Sequence, residues 1–252
     1  MLKNFIKKIL KKLGLQINKY GKNKVLIDRL DWIPFKNENE NFKLYNEGLR
    51  RSKNELSDNF SKQLRFYSMT QIVKTTLRKN QIFDFAECGC WKGHSAYMIS
   101  SLLNNKNIPF HIFDSFEGLS TSTSEDKDFF LKSDKHKLMV TKHFGSSESF
   151  VRDVVLKEFD FIKTYKGWIP ERFNEVEEKK FSFVHIDVDL YKPTLDCLEF
   201  FFPRLIKGGS IVCDDYNSSH FPGAKDAWDK YFKDKNYEYF YENPFGGCFL
   251  IK

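Results

Sequence analysis

Residues Phe181-Ser182-Phe183-Val184-His185-Ile186 form a near-continuous apolar run that stops at Asp187. A strand of that composition has no wet side, so it needs cover on both faces, which helices supply in a mostly parallel sheet. The flanking sequence fits. Strand-like runs at 82–88, 110–113, 161–165 and 210–213 alternate with helix-compatible stretches at 61–79, 95–103, 194–206 and 223–234. Pro193 suits the first turn of 194–206, and Gly208-Gly209 lies past its end. Segment 129–160 reads as mixed helical, and the charged 171–180 also reads as a helix. Two aromatic runs, 237–241 and 248–251, follow too closely for a crossover helix and are therefore antiparallel. The expectation is an open α/β fold with a doubly covered, mostly parallel sheet.

Charge separates the two ends of the chain. The whole sequence carries +7, with 41 Lys and Arg against 34 Asp and Glu. Eight lysines fall in residues 1–24, which hold no acid, and the other 228 residues are nearly neutral. Leu2, Phe5, Ile6, Ile9, Leu10 and Leu13 recur at the spacing of one helix face, with lysines opposite. Residues 1–24 thus read as a basic amphipathic helix, which suits peripheral contact with an anionic membrane or docking on the body. Residues 25–80 read as an irregular and helical extension, a candidate substrate lid, and 81–252 as the catalytic domain. A nucleic-acid partner would want a basic body, so none is expected. The aromatic share of 17% suits a homo-oligomer interface or a Phe-rich core equally.

The five cysteines are odd in number, no secretory signal precedes them, and Cys88 and Cys213 lie in apolar runs. They read as reduced thiols in a cytoplasmic protein, at the inner face of the membrane if the basic helix binds there. Cys88 and Cys90 lack a second pair for zinc.

The stretch Glu87-Cys88-Gly89-Cys90-Trp91-Lys92-Gly93 joins a strand to a helix. At the carboxyl edge of such a sheet, this turn meets ligands. Trp91 occupies the place where a dinucleotide fingerprint needs its second glycine, which disfavours a pyrophosphate. Asp114 ends the next strand 21 positions after Gly93, placed to accept ribose hydroxyls. A ribose acid without a phosphate cradle points to S-adenosylmethionine. The plainer reading is a tight turn and a loop cap.

Asp187 and Asp189 end one strand, and Asp214 and Asp215 end the next. If those strands are neighbours, the carboxylates converge and need a cation or protons. Hard oxygen donors favour Mg²⁺ or another divalent ion, which could acidify a substrate hydroxyl. Helix capping would explain one acid per turn, but not a pair at each of two strand ends. His185, on the same strand, could bind substrate, though packing explains it as well.

In order, these blocks resemble the macrocin O-methyltransferase (TylF/MycF-like) family. The resemblance rests on Ala86-Glu87-Cys88-Gly89-Cys90-Trp91-Lys92-Gly93-His94-Ser95, Phe113-Asp114-Ser115-Phe116-Glu117-Gly118, His185-Ile186-Asp187-Val188-Asp189-Leu190-Tyr191-Lys192-Pro193-Thr194 and Asp214-Asp215-Tyr216. It implies a class I methyltransferase (Rossmann-like) fold, with a seven-stranded sheet and an antiparallel C-terminal hairpin. It implies S-adenosylmethionine contacts at Glu87, Gly89, Gly93, Ser95, Asp114, Ser115, Gly167, Trp168 and Asp187. It also implies Mg²⁺ at Asp187, Asp214 and Asp215, with Asp187 nearest the reacting hydroxyl as ligand and base. Asp189 is the other candidate for the base. The implied reaction is O-methylation of a sugar hydroxyl on a glycan, nucleotide-sugar or glycosylated natural product. A catechol-type methyltransferase and a membrane-surface module without catalysis are the alternatives.

Overall fold

The computed structural model describes residues 5, 6, 9, 10, 12, 13, 15–20, 24–29, 40–126 and 143–252. The parts of the expected loop 115–128 and helical segment 129–160 that fall at 127–142 lie outside them. The chain divides into two compact units, Met1–Asn46 and Glu47–Lys252.

In the first unit, Phe5, Ile6, Ile9, Leu10 and Lys12 are helical, and Leu13 is in a turn. The helix expected over 1–24 is cut short there. β1 (Leu15–Tyr20) and β2 (Lys24–Arg29) pair antiparallel from Leu15↔Arg29 to Tyr20↔Lys24. Ile17, Val25 and Ile27 are β-branched, and such residues favour extended backbone over helix. The unit boundary falls within α1 (Glu40–Arg51), inside the expected extension.

The second unit holds α2 (Phe60–Thr76), β3 (Asp84–Cys88), α3 (His94–Leu103), β4 (Phe110–Asp114) and β5 (Ile162–Lys166). It continues through β6 (Phe181–Ile186), α4 (Tyr191–Arg204), β7 (Leu205–Cys213), α5 (Pro222–Phe232), β8 (Tyr239–Glu242) and β9 (Cys248–Ile251). The seven strands run in the order β5-β4-β3-β6-β7-β9-β8. The first five are parallel, and β9 is antiparallel to both β7 and β8, as expected of the C-terminal pair. From β3 the chain winds outward through β4 and β5, then returns to β6 on the other side. The switch point therefore lies between β3 and β6, where open α/β sheets bind ligands.

All six residues of β6 are buried, the doubly covered strand the sequence demands. α2 packs with α3, and α4 with α5. Much of the phenylalanine content sits in the core: Phe113 meets Phe173 edge-on at 5.2 Å, and Phe181 meets Phe201 at 5.0 Å. Such T-shaped pairs suit the aromatic quadrupole.

Two expected elements differ. Segment 171–180 forms only a 3₁₀ turn, Phe173–Val176, because Phe173 and Val176 are its only buried apolar residues and cannot hold a longer helix. The helix expected to reach 206 ends at Arg204, and β7 begins at Leu205, before the two glycines. Gly208, at φ +72°, is absorbed in a register shift between β6 and β7 instead of capping the helix.

Candidate active site

The parallel ladders continue past the strand ends into the loops that carry the acids. The Asp187 N–H donates to the Cys88 carbonyl at 2.8 Å, and the Asp214 N–H to Ile186 at 2.9 Å. Since β6 and β7 are neighbours, Asp187, Asp214 and Asp215 meet, with one oxygen from each within 4.8 Å of the others.

Burial pushes the Asp187 carboxyl well above the ordinary range, and the charges of Asp214 and Asp215 push it further. Burial does the same at Asp215, helped by Asp189 and Asp214. Asp214 is the exception. Burial pushes it up, but the Arg65 guanidinium outweighs burial and leaves it below the usual range. Arg65 Nε and Nη2 each donate to one Asp214 oxygen at 3.0 Å. Asp189 is also buried and pushed up by burial, but its N–H donates to Asp215 Oδ2 at 2.8 Å. It braces Asp215 and is not one of the three converging acids. Three carboxylates brought this close repel one another unless a cation or protons intervene, and their hard oxygens fit a divalent ion.

A cavity opens beside this cluster, at the carboxyl edge where such sheets bind ligands. Of the predicted contact residues, Gly89, Asp114, Ser115, Trp168 and Asp187 line it, as do Trp91 and Asp189. Glu87, Gly93, Ser95 and Gly167 do not. Glu87 is fully buried and pairs its Oε1 with His185 Nδ1 at 2.8 Å. His185 is thus fully buried and held by Glu87 between neighbouring strands. Burial lowers its pKa, but the carboxylate of Glu87 outweighs burial and raises it. Gly93, at φ +81°, lets α3 approach Val151 and Val155, which a Cβ would meet at 3.1 and 3.3 Å. Ser95 is buried in α3, and Gly167 donates its N–H to the Asp114 carbonyl at 3.0 Å.

Asp114 staples the glycine turn. Its Oδ2 accepts the N–H groups of Cys90 and Trp91 at 2.7 and 2.9 Å, and its Oδ1 accepts Phe116 N–H at 2.7 Å. Burial raises its pKa against the pull of those three amides. Trp91 holds φ +46°, and its ring packs near His143 and Phe144.

A family model, Macrocin-O-methyltransferase (TylF), matches residues 34–239. The chain belongs to the macrocin-O-methyltransferase family. Among relatives, it is 27% identical over 159 residues to the 8-demethyl-8-(2,3-dimethoxy-alpha-L-rhamnosyl)-tetracenomycin-C 4'-O-methyltransferase of Streptomyces olivaceus. That match covers 60% of each protein. It is 24% identical over 160 residues to the mycinamicin III 3''-O-methyltransferase of Micromonospora griseorubida, covering 60% of this chain and 62% of the relative. The matches therefore span about three fifths of these relatives' lengths. The solved structure of the O-methyltransferase NovP superposes with a TM-score of 0.64 at 21% identity, covering 75% of this chain and 79% of that one. That likeness supports the family's fold.

The sequence did not single out Arg65, Lys62 or Asp126. Arg65 and Lys62 are one helical turn apart on α2, and both act electrostatically on the acid cluster. Asp126 anchors the loop whose Leu119 and Ser120 line the cavity. One signal for Arg65 was available: no acid stands three or four positions away on its helix, so any partner must be distant.

Proposed function

We propose that this protein is an S-adenosylmethionine-dependent O-methyltransferase that acts on a sugar hydroxyl, with Mg²⁺ or a similar ion at Asp187, Asp214 and Asp215. The observation that carries the reading is one continuous wall, from the Gly89 turn and Asp114 through Trp168 to Asp187, with three carboxylates converging at its end. The names of the two relatives, one a rhamnosyl compound, support a carbohydrate-bearing acceptor. When bound, the cofactor supplies an electrophilic methyl and the ion acidifies the hydroxyl it touches.

The chain's own residues would do the rest. Trp91 and Trp168 would wall the nucleoside, and Asp114, which lines the cavity, would meet a ribose hydroxyl. Asp187 is the proposed base because, of the three converging acids, it is the one that lines the cavity. Its carboxylate oxygen would take the hydroxyl proton, while the hydroxyl oxygen takes the methyl of the bound cofactor, which leaves as S-adenosylhomocysteine. Asp189 is the weaker candidate because its carboxyl is not among the three that converge.

Calorimetry of S-adenosylmethionine binding, followed by methyl transfer to candidate sugars with and without a chelator, tests the reading. Absence of cofactor binding would sink it, and activity indifferent to the chelator would remove the ion alone. Asp187→Asn should abolish turnover and leave cofactor affinity largely intact.

The finer location, a basic helix on an anionic membrane, is supported by the exposure of Phe5, Ile6, Ile9 and Leu13. Among the described residues no helix is long and apolar enough to cross a membrane. Failure of the protein to sediment with anionic vesicles would end that part of the proposal.

A further inference from the structure

Asp214 is gripped from outside the sheet. Arg65 reaches from the second turn of α2, and Nε and Nη2 form a two-pronged pairing with the two oxygens of Asp214. Both side chains are largely withdrawn from water, Arg65 to 23% and Asp214 to 11% exposure. The β8–β9 turn lies against this arginine: its Nη1 reaches towards the Phe245 carbonyl at 3.5 Å, and Gly246 and Gly247 flank its stem. The grip spans the region's elements, since Arg65 and Asp214 share one small cavity wall with Ser68, Met69 and Asn243.

A guanidinium fork uses one lone pair on each carboxylate oxygen and leaves the other pair on each free. It also fixes the carboxylate plane, which a single hydrogen bond would not. Without the arginine, Asp214 would lose both the restraint on its plane and the nearest positive charge that keeps it ionised.

We propose that Arg65 is a positioning residue for the cation site: it orients Asp214 so that its free lone pairs act with Asp187 and Asp215 on one divalent ion. This rests on the cation reading above. Partners that orient metal ligands are worth about 10- to 100-fold in metal affinity. Arg65 is absent from the walls of the larger cavity, so its effect should be confined to the ion.

The test is calorimetric titration of the full-length protein with Mn²⁺ and, separately, with S-adenosylhomocysteine, for wild type, Arg65→Gln and Arg65→Lys. Arg65→Gln should weaken Mn²⁺ by about 10- to 100-fold with S-adenosylhomocysteine affinity unchanged. Arg65→Lys keeps the charge but loses the fork, and should fall between. Equal or tighter Mn²⁺ binding by Arg65→Gln would mean that the arginine only competes with the ion, which overturns the proposal and leaves the cation reading intact. Should Arg65→Gln fail to fold, Arg65→Lys decides alone, and wild-type Mn²⁺ affinity in it overturns the proposal. A wild type that binds no Mn²⁺ overturns the cation reading, and the proposal with it.

Discussion

Gly89 and Asp187 are locked together: a Cβ on residue 89 would stand 1.9 Å from the Asp187 carbonyl oxygen. The turn that walls the cavity and the loop that carries the proposed base are therefore one packed unit. Gly89 also holds φ +81°, which side chains rarely adopt. Gly89→Ala should displace the Asp187 loop and cost at least about 1–3 kcal/mol from backbone strain alone. Thermal denaturation should show a clear fall in Tm, and calorimetry a loss of S-adenosylhomocysteine binding. A variant with wild-type Tm and affinity would show that the two loops do not meet this way.

Two of the four tryptophans, Trp91 and Trp168, line the cavity, and Trp228 is buried in the core. S-adenosylhomocysteine should therefore change the intrinsic fluorescence on binding. Trp168→Phe should remove much of that change, and Trp228→Phe should leave it. Binding seen by calorimetry without any change in emission would contradict the placement of both indoles.

What could be read from the sequence was local. An apolar run cut off by an aspartate is visible as a strand with an acid at its end, so β6–Asp187 and β7–Asp214 were recognisable before their adjacency was known. The glycine turn was equally visible, but not its partner. Gly89 lines the cavity, and its Cβ space is filled by Asp187, whose N–H bonds back to Cys88, a packing partner that the local sequence does not reveal. The β1–β2 hairpin was hidden by lysines that fit a helix face and a strand alike. Arg65–Asp214 and Asp126–Tyr191 span 149 and 65 positions, distances that no local period reports.

Asp126 caps a helix to which it is not adjacent. The residue before α4 is Leu190, which has no capping side chain, and Asp126 Oδ1 accepts the Tyr191 N–H at 2.7 Å. Its Oδ2 accepts the Thr123 N–H at 2.7 Å, which ties the cavity-lining loop to that helix end. Gly223 leaves the room, since a Cβ there would stand 2.3 Å from Asp126 Oδ1. Loss of a helix cap costs about 1–2 kcal/mol, so Asp126→Ala should lower stability by that order. It should also weaken S-adenosylhomocysteine binding by freeing the loop. Denaturant melts and calorimetry that match wild type would refute both parts.

Lys62 offers a pH test. Its ammonium donates to Ser57 Oγ at 3.0 Å and lies over the Phe66 ring, largely buried. Burial lowers its pKa from 10.5 to about 8, against the pull of Asp214 and Asp187. Between those values the unfolded chain binds more protons than the folded one, so this lysine's contribution to stability rises with pH across the window. Below about 8 both states carry the charge and the cost of burying it is complete. Each tenfold loss of proton affinity is worth about 1.4 kcal/mol, so that cost is on the order of 3 kcal/mol. Lys62→Met keeps the stem on Phe66 and removes the charge. Chemical denaturation should therefore find the variant more stable than wild type at pH 7, with the gap closing as pH approaches about 10. A gap that stays constant with pH, or a variant less stable at pH 7, would show that the ammonium is held by its acidic neighbours more strongly than burial opposes it.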